Sequence, residues 1–255
     1  MTTDKPLRVE VLGIPVDAVT MDGAVAFADS VIKNRKKGCY ILAINPEKVI
    51  LLQKDRQLLN TFVSASLLIP DGIGVVLAMR LLHGVEVKRV PGAELMPRLC
   101  ELAAEKGYGV FLFGSKEEVN KSSAEKLYKI YPGLKIAGRA NGYLKEEDMP
   151  GLVKQINDSG ANILFVALGS PKQEQWIEKW EEKLDVNIIQ GIGGTLDTIA
   201  GNVKRAPEIF CKTGLEWFYR LASDPKRAGR QKVLPVFAVK VVREKARQKA
   251  KTRCV

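Results

Sequence analysis

Three polar side chains occupy places in this sequence where an α/β enzyme would carry catalytic groups. Asp71 follows a short apolar run and precedes Gly72, whose missing side chain lets a ligand approach closely. A carboxylate there is a candidate general base, and the alternative is a helix N-cap. Arg89 precedes a predicted helix and is either a cation for an anionic ligand or a solvated side chain. Gln173 can donate and accept hydrogen bonds, as sugar recognition requires.

Glycine-rich turns provide a second group of candidates, for substrate binding. Gly191, Gly193 and Gly194 follow an apolar run, where backbone N–H groups can hold a phosphate, and the alternative is an ordinary tight turn. The spacing is not the dinucleotide fingerprint GxGxxG, and the chain has no GxxxxGK[ST] loop. Further candidates at predicted strand ends are Asn45, Gly72, Gly169, Lys172 and Asp197.

The sequence offers no familiar metal-binding pattern. It lacks the Asp-x-Asp pair with which many sugar-nucleotide transferases hold a metal ion. We therefore expect activity without metal or other cofactor, with the tail arginines Arg220, Arg227 and Arg230 neutralising a leaving diphosphate. The single histidine and four scattered cysteines give no zinc-ligand spacing, and we interpret the cysteines as free thiols.

Alternating strands and helices must position these groups. The alternation predicts a Rossmann-like, mostly parallel sheet with helices on both faces, and ligands of such sheets bind beyond the carboxyl ends of the strands. The predicted strands are Arg8–Leu12, Tyr40–Ile44, Leu67–Ile69, Gly109–Phe113, Lys135–Ala137, Ile163–Ala167 and Asn187–Gln190. The predicted helices include Met21–Lys33, Pro46–Lys54, Glu94–Lys106, Lys116–Ile130 and Lys172–Lys183. Ser170 is the expected N-cap of the last helix, and Glu174 is interpreted as an acid that complements its dipole.

The charge distribution divides the chain into two predicted parts. The net charge is +11, yet residues 1–202 carry 25 basic and 25 acidic side chains. Residues 203–255 carry 15 basic and 4 acidic side chains, which predicts a helical basic appendage that meets an anionic partner, with a solvated helix surface as the alternative. We predict a catalytic core at 1–202 and an amphipathic appendage at 203–255, with helices near Ala206–Leu221 and Lys226–Lys251.

The appendage suits an anionic membrane surface, because basic residues flank an apolar stripe. A nucleic-acid-binding protein is not favoured, since the tail lacks an aromatic stacking pattern and the chain lacks a helix-turn-helix signature. The missing fingerprint disfavours a nicotinamide-dependent oxidoreductase. With no apolar run of ~18 residues and no signal-peptide pattern, we expect a cytoplasmic protein bound peripherally to the inner face of the cell membrane. The sequence is compatible with a homo-oligomer and does not determine the oligomeric state.

The motifs together resemble the WecG/TagA/CpsF glycosyltransferase family. The Pro-Lys-Gln-Glu and Gly-Leu-Glu-Trp blocks are the most specific of them. In chain order the matching blocks are Asn45-Pro46-Glu47, Pro70-Asp71-Gly72, Arg89 with Gly92, Leu168-Gly169 with Pro171-Lys172-Gln173-Glu174, Gly191 with Gly193-Gly194, Asp197 and Ala200-Gly201, Arg205-Ala206-Pro207, and Gly214-Leu215-Glu216-Trp217 with Arg220-Leu221, Pro225 and Arg227.

The resemblance implies an inverting transferase that acts on a lipid-linked sugar. TagA-like members move N-acetylmannosamine from its UDP donor to undecaprenyl-diphosphate-linked N-acetylglucosamine, forming a β-1,4 linkage in wall teichoic acid synthesis. The alternative donors are the corresponding uronic acid, as in the WecG branch, or glucose. The resemblance also implies that Asp71 is the base and that Arg89 and Gln173 lie in the active site. Arg220, Arg227 and Arg230 would complete that site.

The sequence departs from the family pattern at two places. Ala43 stands where TagA-like members have threonine, and Glu94 stands where an aspartate is expected. Both departures concern the identity of the donor sugar more than the reaction class.

Overall fold

The computed structural model describes residues 6–203, 207, 210 and 232–253. The strands within them are β1 Arg8–Val11, β2 Ile14–Asp17, β3 Cys39–Ile44, β4 Leu67–Pro70, β5 Gly109–Gly114, β6 Lys135–Ala140, β7 Ile163–Ala167 and β8 Ile188–Gly191. Six of them form a parallel sheet in the order β4-β3-β8-β7-β5-β6, and β1 pairs with β2 as an antiparallel hairpin. The predicted α/β fold is therefore confirmed.

Helices cover both faces of this sheet and follow most strands. Two separate apolar clusters form the core, one on each face. Strands β5 and β7 contribute to both clusters because every residue in them is buried, as the continuous apolar runs of a parallel sheet require. The helices are α1 Met21–Lys33, α2 Pro46–Leu52, α3 Arg56–Ser64, α4 Ile73–His83, α5 Gly92–Lys106, α6 Glu117–Ile130, α7 Met149–Asp158, α8 Lys172–Trp180, α9 Thr195–Ala200 and α10 Val233–Arg253.

All seven predicted strands and the five helices predicted before residue 202 are present. Ile163–Ala167 and Met21–Lys33 have the predicted ends, and the ends of the others are shifted. The helix predicted at Pro46–Lys54 ends at Leu52, because Asp55 caps a new helix through the Leu58 N–H. The strand predicted at Lys135–Ala137 extends to Ala140. Strand β2 and helices α3, α4, α7 and α9 are not among the predicted elements. Helix α4 has few polar residues, so its sequence shows little of the one-sided pattern of an amphipathic helix.

The β1–β2 hairpin is held to the main sheet by a buried carboxylate. Asp17 is 2% exposed and forms an ion pair with Arg8, whose Nε lies 2.7 Å from Oδ1. Its other oxygen accepts the Leu68 N–H of edge strand β4 at 2.7 Å. The hairpin therefore covers the edge of the sheet at β4.

Helix α10, from the basic tail, packs on the core rather than standing apart from it. Phe237 and Val241 are buried against the elements around α2 and α4, and Lys240 Nζ donates to Gln53 Oε1 at 2.5 Å. Part of the tail's apolar stripe thus packs on the protein, whereas Val236 and Val239 are exposed. The predicted helix at Lys226–Lys251 is described from Val233 onwards.

Several predictions concern residues that the structure does not describe. The helix predicted near Ala206–Leu221 falls on them, except for Pro207 and Phe210, and so do Arg220, Arg227 and Arg230. The division at residue 202 stays a prediction. No helix in the described ranges is both long and apolar enough to cross a bilayer. Cys39 and Cys100 are free thiols, as interpreted, and burial raises the pKa of Cys100 to about 12.

Candidate active site

Four neighbouring strands bring the predicted site residues to one edge of the sheet. In the order β4-β3-β8-β7, the segments after the strands begin at Asp71, Asn45, Ile192 and Leu168. The strands are parallel, so these segments leave the sheet side by side. The sequence predicts that the polar segments after the strands meet at one edge of the sheet, and the structure confirms this for these four segments.

Asp71 directly follows β4 in the chain, and its side chain faces the start of α5 in space. Its N–H donates to Ile44 O at 2.8 Å, and its Oδ2 accepts from the Gly92 N–H at 3.4 Å. The alternative role as N-cap of α4 is wrong: Gly72 holds that position at φ 103°, and no side chain caps the helix. The carboxylate instead faces the first N–H of α5.

Asn45 and Gly72 lie next to each other beside Asp71. Asn45 caps α2, since its Oδ1 accepts the Lys48 N–H at 2.9 Å. A Cβ placed on Gly72 would stand 3.9 Å from the Cβ of Asn45. The loop after β3 and the loop after β4 are therefore in contact, and Asn45 has at least a structural role in that contact.

Arg89 is mostly buried, so the alternative of a solvated side chain is wrong. Its side chain is 17% exposed, and a guanidinium nitrogen lies 3.4 Å from Glu94 Oε1. Glu94 belongs to the first turn of α5, the helix whose first N–H faces Asp71. The glutamate that departs from the family pattern is therefore the partner of the candidate arginine.

Gln173 joins the start of α8 to the glycine turn after β8. Its Oε1 accepts the Gly193 N–H at 3.0 Å, and its Nε2 donates to Glu174 Oε1 at 3.3 Å. A Cβ on Gly191 would stand 2.6 Å from Nε2, so only glycine lets the carboxamide approach this closely. Two independent partners agree on the orientation of the amide, and Gln173 is 7% exposed.

Beneath Gln173 lies a buried ion pair that the sequence analysis did not predict. Lys48 Nζ lies 2.7 Å from Glu174 Oε1, and their side chains are 11% and 2% exposed. The ammonium group also donates to Ser170 Oγ. Two interpretations are corrected here: Glu174 does more than complement a helix dipole, and Ser170 does not cap α8, whose N-cap residue is Pro171. The pair ties the start of α2 to the start of α8.

Of the other predicted binding residues, Gly169 and Asp197 form local hydrogen bonds, whereas Lys172 and Gly194 are exposed. Gly169 O accepts the Gln173 N–H at 2.9 Å, which closes the turn before α8. Lys172 is exposed at the first position of α8, and Gly194 is exposed just before α9. Asp197 Oδ2 accepts from Ser115 Oγ at 3.1 Å and so joins α9 to the loop after β5.

Sequence reasoning missed Gln190 as well as Lys48. Gln190 is 1% exposed in β8 and donates from Nε2 to Gly92 O at 3.1 Å. A glutamine next to Ile188 and Ile189 in a central strand was the available signal, since buried polar side chains need a partner. A lysine among the apolar residues of α2 was the corresponding signal for Lys48.

The described residues hold no group of three or more His, Cys, Asp or Glu side chains placed to bind a metal ion. The candidate site is instead built from the Asp71 carboxylate, carboxamides, glycine N–H groups, and lysine and arginine side chains that are paired with glutamates. Catalysis without a metal ion stays a prediction.

In parallel α/β sheets, ligands bind in the crevice beyond the carboxyl ends of the strands, where these polar loops meet. Residues 9–251 match the glycosyl transferase WecG/TagA/CpsF family. A relative from Bacillus subtilis (strain 168), an N-acetylglucosaminyldiphosphoundecaprenol N-acetyl-beta-D-mannosaminyltransferase, is 36% identical over 216 residues, which cover 85% of this chain and 84% of the relative. A relative of the same name from Staphylococcus aureus (strain MRSA252) is 35% identical over 243 residues, 95% of each chain. The chain therefore belongs to the WecG/TagA/CpsF family and is a glycosyltransferase.

Breaking the buried Lys48–Glu174 pair should destabilise the protein more than replacing it. We expect Glu174→Gln to lower the free energy of unfolding by ~3 kcal/mol, because Lys48 then stays buried without a counter-charge. The double variant Lys48→Met/Glu174→Leu should recover most of that loss. Urea unfolding followed by circular dichroism measures both values.

The matched control is the exposed pair of Lys154 and Asp158, whose side chains are 74% and 63% exposed. Lys154→Met should change the free energy of unfolding by less than about 1 kcal/mol. The single variants Lys48→Met and Glu174→Leu complete the comparison. If the double variant loses as much stability as these two single variants together, Lys48 and Glu174 are not energetically coupled.

Proposed function

We propose that this glycosyltransferase moves N-acetylmannosamine from UDP-N-acetylmannosamine to undecaprenyl-diphosphate-linked N-acetylglucosamine, with inversion at the anomeric carbon. The product would carry the β-1,4 linkage of wall teichoic acid synthesis. The observation that carries the proposal is that two relatives covering more than four fifths of the chain have this transfer in their names. The named sugar lipid is the acceptor in both.

In the proposed reaction, Asp71 acts as the general base. Its carboxylate takes the proton from the acceptor hydroxyl, most simply the 4-OH, and that oxygen bonds to the anomeric carbon. The bond between the anomeric carbon and UDP breaks on the opposite face, and UDP leaves with the electron pair. Support comes from the position of Asp71 at a strand end beside the start of α5. Base assistance of this kind is typically worth ~10²–10⁴-fold in rate.

The donor would lie against the glycine turn after β8. Gln173 Oε1 is occupied by the Gly193 N–H, and Nε2 has a second hydrogen with which to bind a sugar oxygen. Gly194 belongs to the same turn, and Gly169 and Lys172 stand at the start of α8 beside Gln173 in the chain. This arrangement supports a pocket in which neutral hydrogen bonds recognise the sugar while cations recognise its diphosphate.

We propose that tail arginines complete the diphosphate site. Arg220, Arg227 and Arg230 lie outside the described residues, so the support comes from α10. A Cβ on Gly74, three residues after Asp71, would stand 3.7 Å from the Phe237 ring. The tail therefore contacts the helix that begins beside the candidate base. Positive charge held there would stabilise the leaving diphosphate.

We also propose that the tail docks the enzyme on the anionic inner face of the cell membrane. Residues 233–253 carry seven basic side chains and one acidic side chain. Val236, Val239 and Val242 of α10 are 48%, 50% and 61% exposed, and Ile73, Leu77 and Leu81 are exposed along the neighbouring α4. An apolar surface beside basic residues suits reversible binding at a membrane interface.

Asp71→Ala should lower the transfer rate by at least about a hundredfold while the fold is kept, because the acceptor hydroxyl loses its base. The assay combines UDP-N-acetylmannosamine with a short-chain lipid-diphosphate N-acetylglucosamine, and NMR of the product reports the anomeric configuration. Asp185→Ala, at a half-exposed surface aspartate, is the control and should keep the wild-type rate. A rate above about a tenth of wild type in Asp71→Ala contradicts the base role.

Parallel reactions with UDP-linked N-acetylmannosamine uronic acid and UDP-glucose test the alternative donors.

Turnover should not depend on a metal ion, because the chain has no Asp-x-Asp pair and has a surplus of basic side chains. We expect the rate in excess EDTA to equal the rate without chelator. Loss of activity in EDTA and its return with magnesium or manganese would disprove metal independence. A metal-dependent glycosyltransferase of another family, one that holds its metal ion with an Asp-x-Asp pair, is assayed in parallel to show that the chelator works.

Replacing Val236, Val239 and Val242 together by serine should weaken binding to vesicles of phosphatidylcholine and phosphatidylglycerol by roughly tenfold or more, since three apolar side chains no longer enter the interface. Vesicle co-sedimentation measures the affinity. The control replaces Val63, Tyr128 and Ile130 of α3 and α6 by serine, since these side chains are at least half exposed. Equal weakening in both triple variants, or in neither, would contradict docking through α10.

A further inference from the structure

Gln190 is a polar residue in the middle of the sheet. It belongs to β8, where Ile188 and Ile189 precede it, and it is 1% exposed. In the parallel register its partners are Ile41 of β3 and Phe165 of β7. An apolar side chain would be expected at a position with such neighbours.

The hydrogen bonds of Gln190 fix its orientation and leave one atom unsatisfied. Nε2 donates to Gly92 O at 3.1 Å, and a carbonyl oxygen can only accept, so Nε2 must be the atom on that side. Oε1 is buried and has no donor among the described residues. Such an acceptor lowers stability, and methionine of similar length would avoid that loss. Stability alone therefore does not explain a glutamine at position 190.

A single residue, Gly92, connects Gln190 with the candidate base Asp71. Gly92 is the first residue of α5, and its carbonyl also serves the first turn of that helix. The Gly92 N–H points to Asp71 Oδ2 at 3.4 Å. Gly92 has no side chain, and a Cβ built on it would stand 3.8 Å from Ala43 Cβ and 3.9 Å from Gln190 Nε2. Backbone groups of this one residue thus lie between Gln190 and Asp71.

We propose that Gln190 is a positioning residue for Asp71. By holding the Gly92 carbonyl, the β8 carboxamide fixes the start of α5 against the centre of the sheet and keeps the Gly92 N–H directed at the Asp71 carboxylate. The carboxylate then stays oriented towards the acceptor hydroxyl. The inference rests on the proposed function for the role of Asp71 as base, whereas the contact itself does not depend on it.

The test compares Gln190→Met with wild type by kinetics and by NMR of protein labelled with ¹⁵N-glycine. The Gly92 amide is assigned from its absence in Gly92→Ala. We expect kcat to fall roughly 10- to 100-fold with KM unchanged, because misplacement of a catalytic group lowers the rate of the chemical step. The Gly92 amide signal should move and should lose the pH dependence that titration of Asp71 gives it in wild type. In the Asp71→Ala background, Gln190→Met should cause no further loss of rate. Gln190→Leu repeats each measurement with a second apolar side chain.

Thr61→Val is the matched control, since Thr61 is 2% exposed and donates to Glu178 Oε2 at 2.9 Å on the other side of the sheet. It should leave kcat and the Gly92 signal unchanged. The proposal is overturned if Gln190→Met keeps kcat within twofold, if the Gly92 signal does not move, or if kcat falls equally in the Asp71→Ala background. If wild type transfers none of the sugars tested, the proposed function is wrong, and the Gly92 signal still decides whether Gln190 positions Asp71.

Discussion

Strand β8 forms its hydrogen bonds between β3 and β7, and the geometry of the candidate active site follows from that insertion. Strand β8 is the last strand of this sheet along the described chain, yet it lies among the central strands. Its glycine turn therefore opens between the loop that holds Asn45 and the loop that leads to Gln173. A different strand order would leave the same residues in the sequence without bringing them to one crevice.

Buried polar groups join the segments that this strand order brings together. Lys48 and Glu174 connect the start of α2 with the start of α8, and Gln173 connects α8 with the Gly193 N–H. On the other face of the sheet, Gln190 connects β8 with α5 beside Asp71. Burying such groups costs free energy compared with apolar residues, so their concentration around one crevice is better explained by positioning than by stability.

The basic tail contributes to the core as well as to the surface. Phe237 and Val241 pack on it, which holds α10 against α2 and α4, while valines on the remaining surface of α10 face solvent. A helix held in this way presents its basic and apolar residues in a fixed orientation relative to the loop of Asp71. In the proposed function, membrane docking and completion of the diphosphate site are therefore properties of the same segment.

The sequence by itself determined the alternation of strands and helices, the place of Asp71 after an apolar strand, the charge of the tail and, through its motifs, the family. These signals are local, because a strand end, a glycine turn or a run of lysines is visible within a few residues. Only the tertiary structure decided that Asp71 faces α5 instead of capping α4, that Lys48 pairs with Glu174 across 126 residues, and that Gln190 reaches Gly92. Helix α4 escaped prediction for a related reason, since its few polar residues hide its periodicity. Contacts between distant segments depend on strand order and on which helix packs on which face, and a periodic pattern gives the buried side of an element without naming its partner.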